Sequence, residues 1–135
     1  MDTSTEYRRG RTVITALHVH LVFVTKYRHE VFQNWHYKEM REIFSRVCMK
    51  FSAELIEVDG EDDHVHLLVH YPQTVYLPEL VNSLQGVSSR LLRTKYPALK
   101  RDCKGSALWS PSYFAASCGG APLEIIKQFI EQQRT

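Results

Sequence analysis

The chain has 135 residues, enough for one domain with a real hydrophobic core. At 44% hydrophobic and 24% charged it is ordinary globular protein rather than a disordered tail. No apolar run approaches the ~20 residues of a membrane span, and the polar start, Met1 to Glu6, leads into no apolar segment of the signal-peptide kind. A cytoplasmic protein with no membrane partner is the expectation.

Residues 1–11 are polar and basic and are expected to form a flexible arm, leaving 12–135 as a single domain. From 12 to 25 the chain is rich in β-formers (Val13, Ile14, Leu17, Val19, Leu21, Val22, Phe23, Val24). On a strand, side chains alternate between faces. Leu17, Val19, Leu21 and Phe23 therefore lie opposite His18 and His20. Lys26 to His29 is a basic, aromatic turn. Met40, Ile43, Phe44, Val47 and Phe51 recur at helical spacing, which predicts a helix over 34–51 with Asn34 as N-cap. A short strand is expected over 53–58 and a turn at 59–62, where Asp59-Gly60 is a hairpin signal.

The stretch from Asp63 to His70 alternates again. His64, His66, Leu68 and His70 share one face, and Val65, Leu67, Val69 and Tyr71 the other. Two adjacent imidazoles on a rigid strand form half of a divalent-metal site, although a half-polar strand on a solvated face has the same pattern. Asp63, on a regular strand, points away from those histidines.

A second helix is expected from 77 or 78 to 96. Leu80, Val81, Leu84, Val87, Leu91 and Leu92 form its stripe, Pro78 lies in its first turn, and Pro97 stops it. Gly86 weakens it while letting something approach closely. Residues 98–106 form a basic loop. Residues 108–116 are extended, with Pro111 marking a bend or a sheet edge. Gly119-Gly120 is a break before a last helix, from 122 or 123 to 133.

The order β-α-β-β-α-β-α fits an α+β, ferredoxin-like split βαββαβ arrangement. Two helices then cover one face of an antiparallel sheet, and the histidines point to the other, which the last helix can cover. Net charge is only +2, but it is uneven. Six basic residues against Asp102 lie between Ser88 and Lys104. Arg8, Arg9 and Arg11 make a second cluster, and Lys26 with Arg28 a third. Such patches suit a polyanion, and solvated surface charge explains them equally well. Cys48, Cys103 and Cys118 form no C-x-x-C pair, so no disulfide framework or cysteine zinc site is indicated.

Five stretches carry a resemblance: 20–28 (His20 to Arg28), 63–69 (Asp63 to Val69), 84–90 (Leu84 to Arg90), 108–113 (Leu108 to Tyr113) and 126–133 (Ile126 to Gln133). Over nearly the whole chain, in order and in spacing, the sequence resembles the single-domain HUH tyrosine transposases of small bacterial insertion sequences, which move as single-stranded DNA. REP-associated tyrosine transposases are relatives. The resemblance implies that His64 and His66, rather than His18 and His20, hold the metal, with Gln133 as third ligand and Mg²⁺ or Mn²⁺ as the ion. It implies a homodimer that binds the hairpin ends of an element as single strands and cleaves and rejoins them through a 5′-phosphotyrosine. Lys26, Arg28, Arg90 and Arg93 are the candidate contacts to the DNA backbone.

One position departs from the pattern. The nucleophilic tyrosine of that family stands four residues before the glutamine, and here that residue is Phe129. A phenyl ring has no hydroxyl with which to attack. The chain is then a Tyr→Phe variant or a degenerate natural copy, and the intactness of the other motifs favours the variant. Tyr113 is a conceivable substitute that matches a different family tyrosine. Two rivals stand beside this reading: a pure hairpin-binding protein or repressor, and a metal hydrolase that uses His64, His66 and Asp63 on a small substrate.

Overall fold

The computed structural model describes residues 8–9, 12–13, 16–102 and 107–117. Within the expected arm, β1 (Arg8–Arg9) pairs antiparallel with β2 (Thr12–Val13). The boundary at residue 11 thus falls inside a small hairpin, and the rest of the arm lies outside the described residues. The main sheet contains β3 (Ala16–Thr25), β4 (Glu54–Glu61), β5 (His64–Pro72) and β6 (Trp109–Ser117) in the spatial order β4-β5-β3-β6, every pair antiparallel. With helices α1 (Asn34–Lys50) and α2 (Leu77–Lys95) in the connections, this is the α+β split-βαβ architecture.

The two periodicities of the sequence meet in one core. Val19, Leu21 and Phe23 of β3 pair across to Val69, Leu67 and Val65 of β5, and all six are buried. Met40, Ile43, Phe44 and Val47 of α1 and Leu80, Val81, Leu84 and Leu92 of α2 close over them. Burying each such side chain contributes about 1.5–3 kcal/mol, so this face sets the register of the sheet. Leu17 is the exception. It lies at the end of β3, paired with Tyr71 beyond the helical cover, and is 40% exposed. On the opposite face Val22 and Val24 are buried in a small cluster with Phe114.

Local chemistry moved several boundaries. Gln33, not Asn34, caps α1: its backbone N–H donates to His36 Nδ1 at 2.8 Å. Pro97 opens a further short helix, α3 (Pro97–Asp102), where a basic loop was expected, because its fixed φ suits a first helical position. The strand at 53–58 runs on to Glu61, so the β4-β5 hairpin turns at Asp62-Asp63, with Glu61 opposite His64. Gly60 belongs to that strand. A Cβ there would run into the His64 carbonyl oxygen and lie 2.9 Å from Val65 Cα. The expected last helix, with Gly119-Gly120, Phe129 and Gln133, falls on residues outside the described ones.

Candidate metal and nucleic-acid site

The β4-β5 turn is held from three sides. The Thr25 N–H donates to the Asp63 carbonyl at 2.9 Å, and the Val31 and Phe32 N–H groups donate to the Asp62 carbonyl at 2.9 and 3.0 Å. Thr25 Oγ1 adds bonds to the carbonyls of His29 and Asp63. Asp63 is thereby a turn residue, and strand alternation does not govern its side chain. This overturns the expectation that it points away from the histidines. The residue is 3% exposed, with its carboxylate Oδ1 2.7 Å from His64 Nδ1 and Oδ2 2.7 Å from Arg28 Nε.

An ionised carboxylate only accepts hydrogen bonds, so His64 Nδ1 donates to it and Nε2 is the ring nitrogen turned away from Asp63. Burial pushes the Asp63 carboxyl up, but the hydrogen bonds from His64 and Arg28 outweigh it and hold the group below the usual carboxylate range. The His66 ring lies 4.9 Å from that of His64 at 72°. Burial and the neighbouring His64 lower the His66 pKa, against the opposing pull of Asp59 and Glu61, which keeps its ring neutral near pH 7. Two imidazoles side by side, one oriented by a buried carboxylate, have the donor chemistry of half a divalent-metal site. Among the described residues no three His, Cys, Asp or Glu side chains come together as a metal cluster.

The other histidine pair is placed differently. His18 stacks on His70 with centroids 4.4 Å apart and rings 7° from parallel, six residues along β5 from His64 and so roughly 20 Å away. His20 pairs with Leu68, nearer His66 but with no carboxylate beside it in the register.

Tyr113 packs edge-on to Phe23, on the helix-covered face of the sheet, opposite the His64-His66 face. Tyr37, whose hydroxyl is 3.5 Å from the His64 carbonyl, has its pKa pushed up by burial and then by Asp62 and Asp63, so it holds its proton.

The family model described as "Transposase IS200 like" matches residues 13–133. The chain belongs to the IS200-like transposases. The ISDra2 transposase TnpA of Deinococcus radiodurans is 31% identical over 128 residues, covering 95% of this chain and 91% of that protein. The transposase of IS200 from Salmonella typhimurium is 25% identical over 118 residues, 85% of this chain and 78% of its own length. Among solved structures, a crystal structure of a candidate transposase from Deinococcus radiodurans R1 superposes with a TM-score of 0.82 at 30% identity, covering 95% of this chain and 98% of that one. A REP-associated tyrosine transposase bound to a REP hairpin shares the fold alone, at TM-score 0.55 and 10% identity over 92% of this chain and 68% of its own. Membership carries the family's class of activity, the cutting and transfer of DNA in the transposition of insertion sequences. No helix among the described residues is long and apolar enough to cross a membrane.

The cationic residues of the transposase fall into two groups. Arg28 is largely committed to Asp63, with its side chain 18% exposed, and it sits in the left-handed region at φ 56°, next to Tyr27 at φ 59°. Such backbone is uncommon for side chains of this size. Lys26, Arg90 and Arg93 lie instead on clefts along α2. One cleft is lined by Arg90, Arg93, Thr94, Pro97 and Lys100, and a second takes in Lys26 and Arg93. Sequence reasoning missed Asp63 as the partner of His64. An acid directly preceding a His-x-His after a hairpin turn was the available signal.

Proposed function

We propose that this transposase binds the hairpin ends of an insertion sequence as single strands, as a homodimer, at a site that cleaves and rejoins them through a 5′-phosphotyrosine when tyrosine stands at position 129. The observation that carries the reading is the Asp63-His64-His66 array in a protein of this family. Asp63 engages His64 Nδ1, which leaves Nε2 as the nitrogen available to a metal. His66 stays neutral beside it. The resemblance supplies Gln133 as the third ligand, and the donor set, two imidazole nitrogens and an amide oxygen, fits Mg²⁺ or Mn²⁺. His64 and His66 would hold the divalent cation, which would supply neutralisation of charge on the scissile phosphate. Lys26, Arg90 and Arg93 bind phosphates and position the strand, while Arg28 acts mainly by bracing Asp63.

Position 129 decides what this chain does with the strand. With phenylalanine there, no hydroxyl attacks, no phosphotyrosine forms, and the strand is held uncut. Tyr37 keeps its proton and Tyr113 faces the other layer, which favours binding without cleavage for the chain as it stands. A hairpin-bound relative of the same fold supports the choice of ligand. The dimer follows from the resemblance, and light scattering of the free protein and of its DNA complex tests it. A hairpin-forming single strand should bind more tightly than its duplex form, with affinity falling steeply as salt rises and the DNA remaining intact in Mg²⁺. Equal affinity for the duplex, or a flat salt response, contradicts the reading.

A further inference from the structure

The histidines outside the Asp63-His64-His66 array form a group of their own. His18 of β3 and His70 of β5 are partners in the antiparallel register, so both side chains leave the sheet on one face. Their rings lie 4.4 Å apart and 7° from parallel. On its other side His70 has Glu54 of β4 as partner. Leu55, the next residue, packs on the core while Glu54 is exposed, which puts Glu54 on the histidine face as well. Three adjacent strands, β4, β5 and β3, thus carry one row across the sheet: Glu54, His70, His18.

The row is open to solvent. Both histidines are half-buried rather than sealed in the core, and the sheet ends beside them at the exposed Leu17. A cleft of about 430 Å³ has His18, Tyr71 and Ala116 in its lining. Ala116 of β6, the partner of His20, brings only a methyl group to that face. The donor set is suited to a metal. Cross-strand partners have Cβ atoms about 4.5–5.5 Å apart, close enough for one ion to bridge two imidazoles. Rotation of the stacked rings about their Cβ–Cγ bonds turns one nitrogen of each toward a shared point. Imidazole nitrogens suit Zn²⁺, whereas Mg²⁺ and Mn²⁺ prefer oxygen. No three ligating side chains are preassembled among the described residues, so the ion itself draws the Glu54 carboxylate in.

We propose that His18 and His70, with Glu54 as third ligand, bind one Zn²⁺ across β3, β5 and β4. A water completes the tetrahedron. The site is separate from the metal half-site: His70 is six residues along β5 from His64, roughly 20 Å away. The ion acts as a clip. It replaces a ring stack with bonds that join three strands, and it pins the far end of the strand that carries His64 and His66. It does not depend on the DNA reading above.

The test is a calorimetric titration of Zn²⁺ into the tag-free protein carrying His64→Ala and His66→Ala, which silences the half-site. One equivalent should bind and raise the melting temperature, and Mg²⁺ at the same concentration should do neither. Adding His18→Gln or His70→Gln should weaken binding by at least roughly ten-fold, since even the outer partners of a metal ligand are worth that much. Either change should also abolish the rise in melting temperature. In NMR spectra of the unmodified protein, Zn²⁺ should shift the ring protons of His18 and His70 together, a readout that stands even if the double variant unfolds. No shift of these two rings, or Zn²⁺ affinity that survives both His18→Gln and His70→Gln, overturns the site. Unchanged affinity in Glu54→Gln overturns the carboxylate's part in it.

Discussion

Asp63 Oδ1 lies 2.7 Å from His64 Nδ1, and the same carboxylate takes the Nε–H of Arg28 on its other oxygen. The pair ties the orientation of a strand histidine to the turn that precedes it. Asp63→Asn keeps the shape and removes the charge that holds His64 Nδ1. Losing such a partner weakens metal binding about 10–100-fold. Titration calorimetry with Mn²⁺ should show that loss, and an unchanged affinity would mean that Asp63 only braces the turn.

Gly60 should tolerate no side chain. With the His64 carbonyl in the way of its Cβ, Gly60→Ala must push β4 off β5 beside the proposed metal ligand His64. The expected destabilisation is about 1–3 kcal/mol, as for other overpacked sites. Urea unfolding measures it, and Mn²⁺ affinity should fall in the same variant because His64 moves with the strand.

Trp109 Nε1–H donates to Ser88 Oγ at 2.9 Å, joining β6 to α2 in the core. Ser88→Ala leaves the indole donor buried and unpaired. The cost should be about 1–3 kcal/mol in chemical denaturation, more than a surface serine would give. A change below 0.5 kcal/mol would show that the indole finds another acceptor.

Cys48 is fully buried on α1, and burial pushes its thiol up to about 12. Against an ordinary value of 9.0, the thiolate fraction in the folded protein is lower by roughly three orders of magnitude below pH 9. Peptide mapping after iodoacetamide at pH 8 should find Cys48 unmodified in the native protein and alkylated in urea. Native-state alkylation at a rate near that of a free thiol would contradict the packing of α1.

The sequence carried most of the scaffold because its periodicities are simple. The stripes Met40-Ile43-Phe44-Val47 and Leu80-Val81-Leu84 marked the two helices, and the alternation of His64-Val65-His66-Leu67 marked the inner strand and its two faces. What it hid depends on turns and on distant partners. Asp63 leaves strand alternation only because Thr25, Val31 and Phe32 hold the turn. Gly60 looked like a loop residue, although its role is to let two strands meet. Tyr27 and Arg28 take left-handed backbone, which neither residue type announces. Lys100 acquires meaning only when α2 and α3 come together. For Phe129 and Gln133 the family pattern alone assigns a role, since both lie outside the described residues.

Restoring the missing hydroxyl tests the central claim most directly. Phe129→Tyr is incubated with a selected hairpin single strand and Mg²⁺ or Mn²⁺, then analysed on a denaturing gel. The account predicts a covalent adduct to the 5′ end of the cut strand, absent from the Phe129 protein and lost again in Phe129→Tyr/His66→Ala. A Phe129→Tyr protein that binds the hairpin but forms no adduct, or a Phe129 protein that already cuts it, would contradict the account.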